Sequence, residues 1–272
     1  MLKTRQNGKN RLIPMVPKVI FEDEYLIILD KPPGWIVNEA ETTGDIPVVQ
    51  KWLKKVFDYS IVKSKDYRSG VVHRLDKETS GILVIAKTIE SFEKLQKEFK
   101  ERVVKKTYIA LVHGRVTPVV GEIKTSVGRL PWRRDRFGVL PGGREAETRY
   151  RVISNFSFRG RSASGGQFPR LRRGFGGQAI FNEKFSLVEF YPKTGRTHQI
   201  RIHSKYLGHP IVADDFYAGR KTARSDKKWC SRLFLHSAGI SFIHPRKNKM
   251  VTFESKLPED LQLALKSLEK VS

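Results

Sequence analysis

Val72-His73-Arg74-Leu75-Asp76-Lys77-Glu78-Thr79-Ser80-Gly81 is the stretch from which the rest of the chain is read. From Val71 to Asp76 apolar and polar positions alternate with the period of a half-buried strand. That period puts His73 and Leu75 on one face, Arg74 and Asp76 on the other. An acid and a base therefore point the same way. Lys77 to Ser80 followed by Gly81 reads as a turn, and Ile82-Leu83-Val84-Ile85-Ala86 as a short buried strand. A carboxylate on such a loop, held between two strands, is placed for chemistry. An aspartate in a turn also accepts backbone hydrogen bonds of its own loop, and the local pattern leaves both readings open.

Outward from this loop, Val19-Ile20-Phe21 and Leu26-Ile27-Ile28-Leu29 are two apolar runs around the acidic turn Glu22-Asp23-Glu24. Asp30-Lys31-Pro32-Pro33-Gly34 ends the second run, because paired prolines and a glycine cannot continue a ladder. Thr88 caps a helix from Ile89 to about Arg102, with Phe92, Leu95 and Phe99 at helical spacing. Lys106 to Val112 alternates as a strand with Lys106, Tyr108, Ala110 and Val112 on one face. Further strands fall at Thr148 to Ile153 and Phe185 to Phe190. A helix is expected from Arg196 to Leu207, stopped by Gly208 and Pro210, with Arg196, Gln199, Ile200, His203 and Leu207 on one stripe. Pro258 opens a last helix carrying Leu261, Leu265 and Leu268. The fold class is α+β.

The chain has 272 residues and 39% apolar content, enough to bury a substantial core. Its 52 lysines and arginines against 28 acids give a formal charge of +24, so a polyanion is the expected partner. No stretch approaches the roughly eighteen apolar residues of a membrane span, and the N-terminus has no apolar signal core. A cytoplasmic protein with no membrane partner is expected, and its oligomeric state is left open with a monomer favoured. The single cysteine, Cys230, can form no internal disulfide and no structural zinc site by itself. His198 and His203 are five apart, a poor helical spacing for one metal, so no metal is expected.

Two stretches interrupt the core. Arg129 to Arg136 reads RLPWRRDR, and Arg159 to Arg173 carries five arginines and no carboxylate. The second lies within an Arg/Gly-rich insertion at about residues 159–178, too poor in apolar surface to offset its ordering entropy. Arg133, Arg134, Arg172 and Arg173, with Phe168 and Phe175 interleaved in the insertion, are candidate RNA contacts through phosphate pairing and base stacking. Residues 1–16 are read as a basic arm, and residues 17–270 as the domain that follows it.

A second motif, Tyr191-Pro192-Lys193-Thr194-Gly195-Arg196-Thr197-His198-Gln199-Ile200-Arg201-Ile202-His203, bears on what the local pattern left open. Paired with HRLDKETSG, it resembles the RluA-type branch of the RNA pseudouridine synthases. Lys106-Thr107-Tyr108-Ile109-Ala110-Leu111-Val112, Ala146-Glu147-Thr148-Arg149-Tyr150 and Phe234-Leu235-His236-Ser237-Ala238 follow in the family's order, ahead of His244-Pro245. The likeness covers about Pro17 to Leu268. It implies a mixed, largely antiparallel central sheet with flanking helices and a catalytic cleft across it. It implies conversion of uridine to pseudouridine in ribosomal or transfer RNA, with no cofactor. It also implies that Asp76 is the essential catalytic residue, Tyr108 the active-site tyrosine and Arg196 the active-site arginine, with Arg74 and Ile200 at two further matched positions. The basic arm is too short to be the separate RNA-binding module that many relatives carry. The insertion departs from the family pattern.

Making pseudouridine breaks the bond from ribose C1′ to base N1, turns the base and joins C1′ to C5. Atoms balance without water or redox, so one carboxylate, acting as nucleophile or as stabiliser of a sugar cation, suffices. Arg196 is expected to pair with Asp76 and keep it ionised. Tyr108 would stack on the uracil, and Ile200 would wall the site. His73, Arg74, Gln199 and Arg201 are candidate RNA contacts, with capping or hydrogen bonding as the structural alternative for Arg201. Ribosomal RNA ranks ahead of transfer RNA. A non-catalytic RNA-binding protein of the same fold is the rival reading, and Asp76, Tyr108 and Arg196 together separate the two. A metal-dependent nuclease is disfavoured because no carboxylate cluster stands out.

Overall fold

The computed structural model describes residues 15–40, 43–158 and 184–271. The apolar runs at the start become β1 (Lys18–Glu22) and β2 (Leu26–Lys31), an antiparallel hairpin. Asp23 shapes its turn by accepting hydrogen bonds from the amides of Tyr25 and Leu26 at 2.8 and 3.0 Å. Leu26 to Leu29 are fully buried because β2 lies between β1 and β3 (Ser80–Ala86) with both faces covered.

The remaining strands are β4 (Lys105–His113), β5 (Val120–Leu130), β6 (Arg133–Val139), β7 (Arg144–Phe158), β8 (Lys184–Pro192), β9 (Leu235–Ile243), β10 (Met250–Glu254) and β11 (Leu268–Val271). One sheet holds them in the order β1-β2-β3-β9-β4-β8-β7-β5-β6, with β10 added on β9 and β11 on β7. Every pairing is antiparallel except that of β3 with β9, a seam with only Ser80 opposite His236 and Gly81 opposite Ser237. Gly81 has φ +111°, and a Cβ there would lie 2.2 Å from the carbonyl oxygen of Ser237. Only glycine allows this approach. The sheet and the helices around it make the mixed, largely antiparallel α+β architecture expected from the sequence.

Five helices pack on this sheet among the described residues: α1 (Val49–Val56), α2 (Ile89–Lys100), α3 (Gln199–Tyr206), α4 (Arg220–Asp226) and α5 (Glu259–Lys266). Thr88 caps α2 by accepting the amide of Ser91 at 3.2 Å, and Phe92 and Leu95 of the expected stripe are buried. Leu268 does not extend α5 but opens β11, which pairs with the end of β7.

Two expectations about elements are corrected. Val71 to Asp76 is not a strand. Val71 alone bridges to Ile85, and residues 72–79 follow an irregular path. The in-and-out alternation survives, with Leu75 buried and Arg74 exposed, but side chains and turns replace the ladder. The helix expected from Arg196 begins instead at Gln199, and His198 ahead of it has a left-handed φ of 56°. Met1 to Pro14 of the basic arm and residues 159–183, which include Arg172 and Arg173, lie outside the described residues. Ser157 and Lys184, flanking the insertion, are paired across β7 and β8.

Candidate active site

A cavity of about 540 Å³ opens over the sheet, and Asp76, Tyr108, Arg196, Ile200 and Arg201 all line it, with Arg74 at its edge. The loop carrying Asp76 is fastened from below. Lys31, 0% exposed at the end of β2, donates to the carbonyls of Pro32, Trp35 and Lys77 at 2.9, 3.0 and 3.2 Å. Burial pushes its ammonium down to about 7, partly opposed by the carboxylates of Asp76 and Glu78. The Lys77 carbonyl also accepts the amide of Gly34 at 2.8 Å, and the Asp76 carbonyl accepts the amide of Thr79 at 3.2 Å.

His73 completes the fastening. Its Nε2 accepts the amide of Val84 at 3.0 Å, and its ring stacks on Phe99 with centroids 4.9 Å apart. Burial, helped by the charge of Lys106, drives the imidazole down to about 3, so it is neutral and able to accept. With one ring nitrogen and the ring face engaged inside the protein, His73 ties the loop to β3. It also lines the cavity.

The cation beside Asp76 is Arg201, not Arg196. Arg201 is 2% exposed and its Nη1 lies 4.0 Å from Asp76 Oδ2, while Asp76 keeps 18% of its side chain exposed. The other side of the guanidinium fork is held by Asp214, which accepts from Nε and Nη2 at 2.8 Å each. Asp214 is itself fixed by the amides of Phe216 and Tyr217 at 2.9 and 3.0 Å, and the rings of those two residues flank the guanidinium. Two sides of a planar fork are thus fixed. The third nitrogen, Nη1, is buried with no hydrogen-bond partner inside the protein and faces Asp76. So placed, Arg201 is engaged by Asp214 and turned toward Asp76 within the cavity.

Gln199 explains why Arg196 lies elsewhere. Its Oε1 accepts from the Thr194 hydroxyl at 2.7 Å and from the Arg196 amide at 2.9 Å. Its Nε2 donates to the Glu147 carbonyl and the Thr148 hydroxyl at 3.0 and 2.9 Å. A buried side chain with every group engaged stitches the 194–198 turn to β7, leaving Gln199 no group free for RNA. Arg196 is on that turn, its Nε donating to the Glu145 carbonyl at 2.9 Å, at the mouth of the cavity.

Tyr108 is buried on β4 opposite Ser237 of β9, facing the cavity. Burial pushes its hydroxyl up to about 12 against a hydrogen bond from Ser237, so at neutral pH it is a phenol and not a base. Ile200, 6% exposed, forms an apolar wall. Arg74 is exposed and has no acidic partner among the described residues. Arg133 lies on β6 away from the cavity, with its Nε 3.4 Å from Asp135, and Arg134 follows it in the strand. His203 bridges the hydroxyls of Thr125 and Thr148 at 3.0 and 2.9 Å, and His198 Nδ1 meets Tyr217 at 2.9 Å. Among the described residues no group of three metal-ligating side chains forms, and no helix is long and apolar enough to cross a membrane.

Sequence reading did not single out Asp214 or Lys31. Each had a signal: Asp214 closes the apolar run Ile211-Val212-Ala213, and Lys31 is the last residue of a buried strand, directly after Leu26 to Asp30. A charge in such a place needs a partner.

The family model for RNA pseudouridylate synthase matches residues 25–206. An uncharacterized RNA pseudouridine synthase of Chloroflexus aurantiacus is 36% identical over 240 residues, 88% of this chain and 66% of its own length. Ribosomal large subunit pseudouridine synthase D of Nitrosomonas europaea is 33% identical over 269 residues, 98% of this chain and 69% of its own. This chain spans between 60% and 74% of the length of such relatives. In fold it is similar to human RNA pseudouridylate synthase domain containing 1, with a TM-score of 0.66 at 21% identity over 94% of this chain and 89% of that one.

Proposed function

Because the chain belongs to the RNA pseudouridylate synthase family, we propose that it isomerises specific uridines of ribosomal RNA to pseudouridine, with Asp76 as the catalytic carboxylate. The observation that carries this reading is the convergence of Asp76, the free Nη1 of Arg201 and the ring of Tyr108 on one cavity. Ribosomal RNA is preferred over transfer RNA because relatives from Nitrosomonas europaea and Neisseria meningitidis are named for the large ribosomal subunit. A cytoplasmic location is in keeping with that substrate.

A uridine swung out of its helix would enter with its base against Tyr108 and Ile200. Stacking contributes about 1–3 kcal/mol per base, enough to offset the few kcal/mol of unstacking. The carboxylate of Asp76 acts at C1′, as nucleophile or as stabiliser of the sugar cation, as the glycosidic bond from C1′ to N1 breaks. Arg201, fixed by Asp214, holds that carboxylate in one orientation and stabilises its charge when the intermediate collapses. The released base turns, C5 joins C1′, and the C5 proton moves to N1, so the product has the composition of the substrate. The phenol of Tyr108 remains protonated throughout, which suits stacking and hydrogen bonding. It does not suit proton abstraction.

Mapping carbodiimide-sensitive pseudouridines across total RNA, from cells with wild-type protein and with Asp76→Asn, tests the reading. Loss of one or a few ribosomal RNA sites is expected. An unchanged map would overturn the assignment, and loss confined to transfer RNA would replace the substrate.

A further inference from the structure

We propose that Arg102, Arg144 and Arg196 form a clamp at the mouth of the cavity that grips one phosphodiester of the RNA strand whose uridine enters. The clamp rests on the isomerase reading above. All three line the same cavity as Asp76, yet none has an acidic partner among the described residues. Arg196 is anchored through Nε to the carbonyl of Glu145, the residue next to Arg144, so two guanidiniums are brought to one place by adjacent backbone. Burial and the like charges of Arg144 and Arg102 hold Arg196 below its ordinary value, with the nearby Glu145 carboxylate only partly opposing them. Three cations that line one cavity, two of them close enough for Arg196 to feel their charge, invite an anion with several oxygens.

The backbone at Arg102 is an independent sign. Helix α2 ends at Lys100 with Glu101 as its cap, and Arg102 follows with φ +63°, donating its amide to the Phe99 carbonyl while the Val103 amide reaches the Glu98 carbonyl at 3.0 Å. This is the helix exit at which glycine is the favoured residue. A side chain held in the left-handed region at such a place is a reason to look for a function. Attraction to the carboxyl end of the helix is the plainer explanation. Lys97 and Lys100 of the last turn already supply that charge.

The same backbone supplies a clean test. Arg102→Gly removes the guanidinium and relieves the positive φ, so its thermal midpoint should equal or exceed that of the wild type. Arg144→Gln changes an exposed side chain at the start of β7. The probe is unmodified large-subunit ribosomal RNA made by in vitro transcription. Each variant should bind it about fivefold to tenfold more weakly. Each should also flatten the slope of log affinity against log salt, by at most about 0.7, the share of the one phosphate the clamp holds. The single-turnover rate at saturating protein should stay within about twofold of wild type, since the clamp holds the strand and does not touch the reacting atoms. Wild-type affinity and slope in both variants would overturn the clamp, as would a fall in the saturating rate with affinity unchanged. Wild-type protein that binds this RNA but isomerises no uridine would defeat the enzymatic reading alone, because the salt slopes would still judge the clamp.

Discussion

At the residue scale the chemistry comes down to which guanidinium faces Asp76. Arg201→Lys keeps a charge but cannot span Asp214 and Asp76 with one rigid fork. Its single-turnover rate should fall by about 10²-fold or more, whereas Arg196→Lys should fall by less than about tenfold at saturating protein. A larger loss at 196 than at 201 would restore the pairing expected from sequence. Asp76→Asn, nearly isosteric, should cost roughly 10³-fold or more while RNA affinity holds. Tyr108→Phe should retain activity within about tenfold, because its ring stays in the cavity; collapse of the rate would give the hydroxyl a role in the reaction. The identity of Asp76 and Tyr108 as cavity residues was legible in the sequence, because each rests on a short motif whose register survives folding. The choice between Arg196 and Arg201 was not. It depends on where α3 begins, and that is decided by the four hydrogen bonds of Gln199, a contact set with no local signature.

At the scale of elements, the Asp76 loop is held by side chains rather than by a ladder. Six alternating residues could not reveal this, since alternation records which side is buried and not what pairs with the backbone. The strands and helices with long apolar patterns, β2, β3, β4 and α2, were legible for the same reason. Lys31→Met would leave three carbonyls without their donor. At about 1–3 kcal/mol for each buried polar group left unsatisfied, a loss of several kcal/mol in denaturant unfolding is expected. A midpoint equal to wild type would show that the loop holds itself. The histidines give the element a pH signature. His73 at about 3 and His203 at about 4 titrate below the ordinary 6.5, so the unfolded chain takes up protons that the native state refuses. Their contribution is complete above pH 6.5 and is lost as pH falls toward 4 and then 3. Unfolding free energy should therefore drop over that window, and His73→Gln should flatten the drop.

At the scale of the whole molecule, the β7–β8 connection is a place where chain can be removed. Ser157 and Lys184 are already paired, so a short glycine turn in place of residues 159–183 closes a hairpin that exists on both sides. The shortened protein should melt within a few degrees of wild type. It should bind RNA more weakly, because the removed segment carries five arginines against one glutamate in a chain of charge +24. Equal affinity would mark the insertion as inert.

The seam between β3 and β9 bears on this larger scale as well. Asp76 hangs from the leaf made by β1, β2 and β3, whereas Tyr108, Asp214 and Arg201 belong to the opposite leaf, and the backbone rungs joining the leaves number two. The 4.0 Å gap between acid and guanidinium is thus measured across that seam, and its width depends on how closely the two leaves meet there. A bulkier residue at Gly81 would meet the Ser237 carbonyl, push the leaves apart and detune the cleft from behind, leaving every group that meets the nucleotide chemically intact.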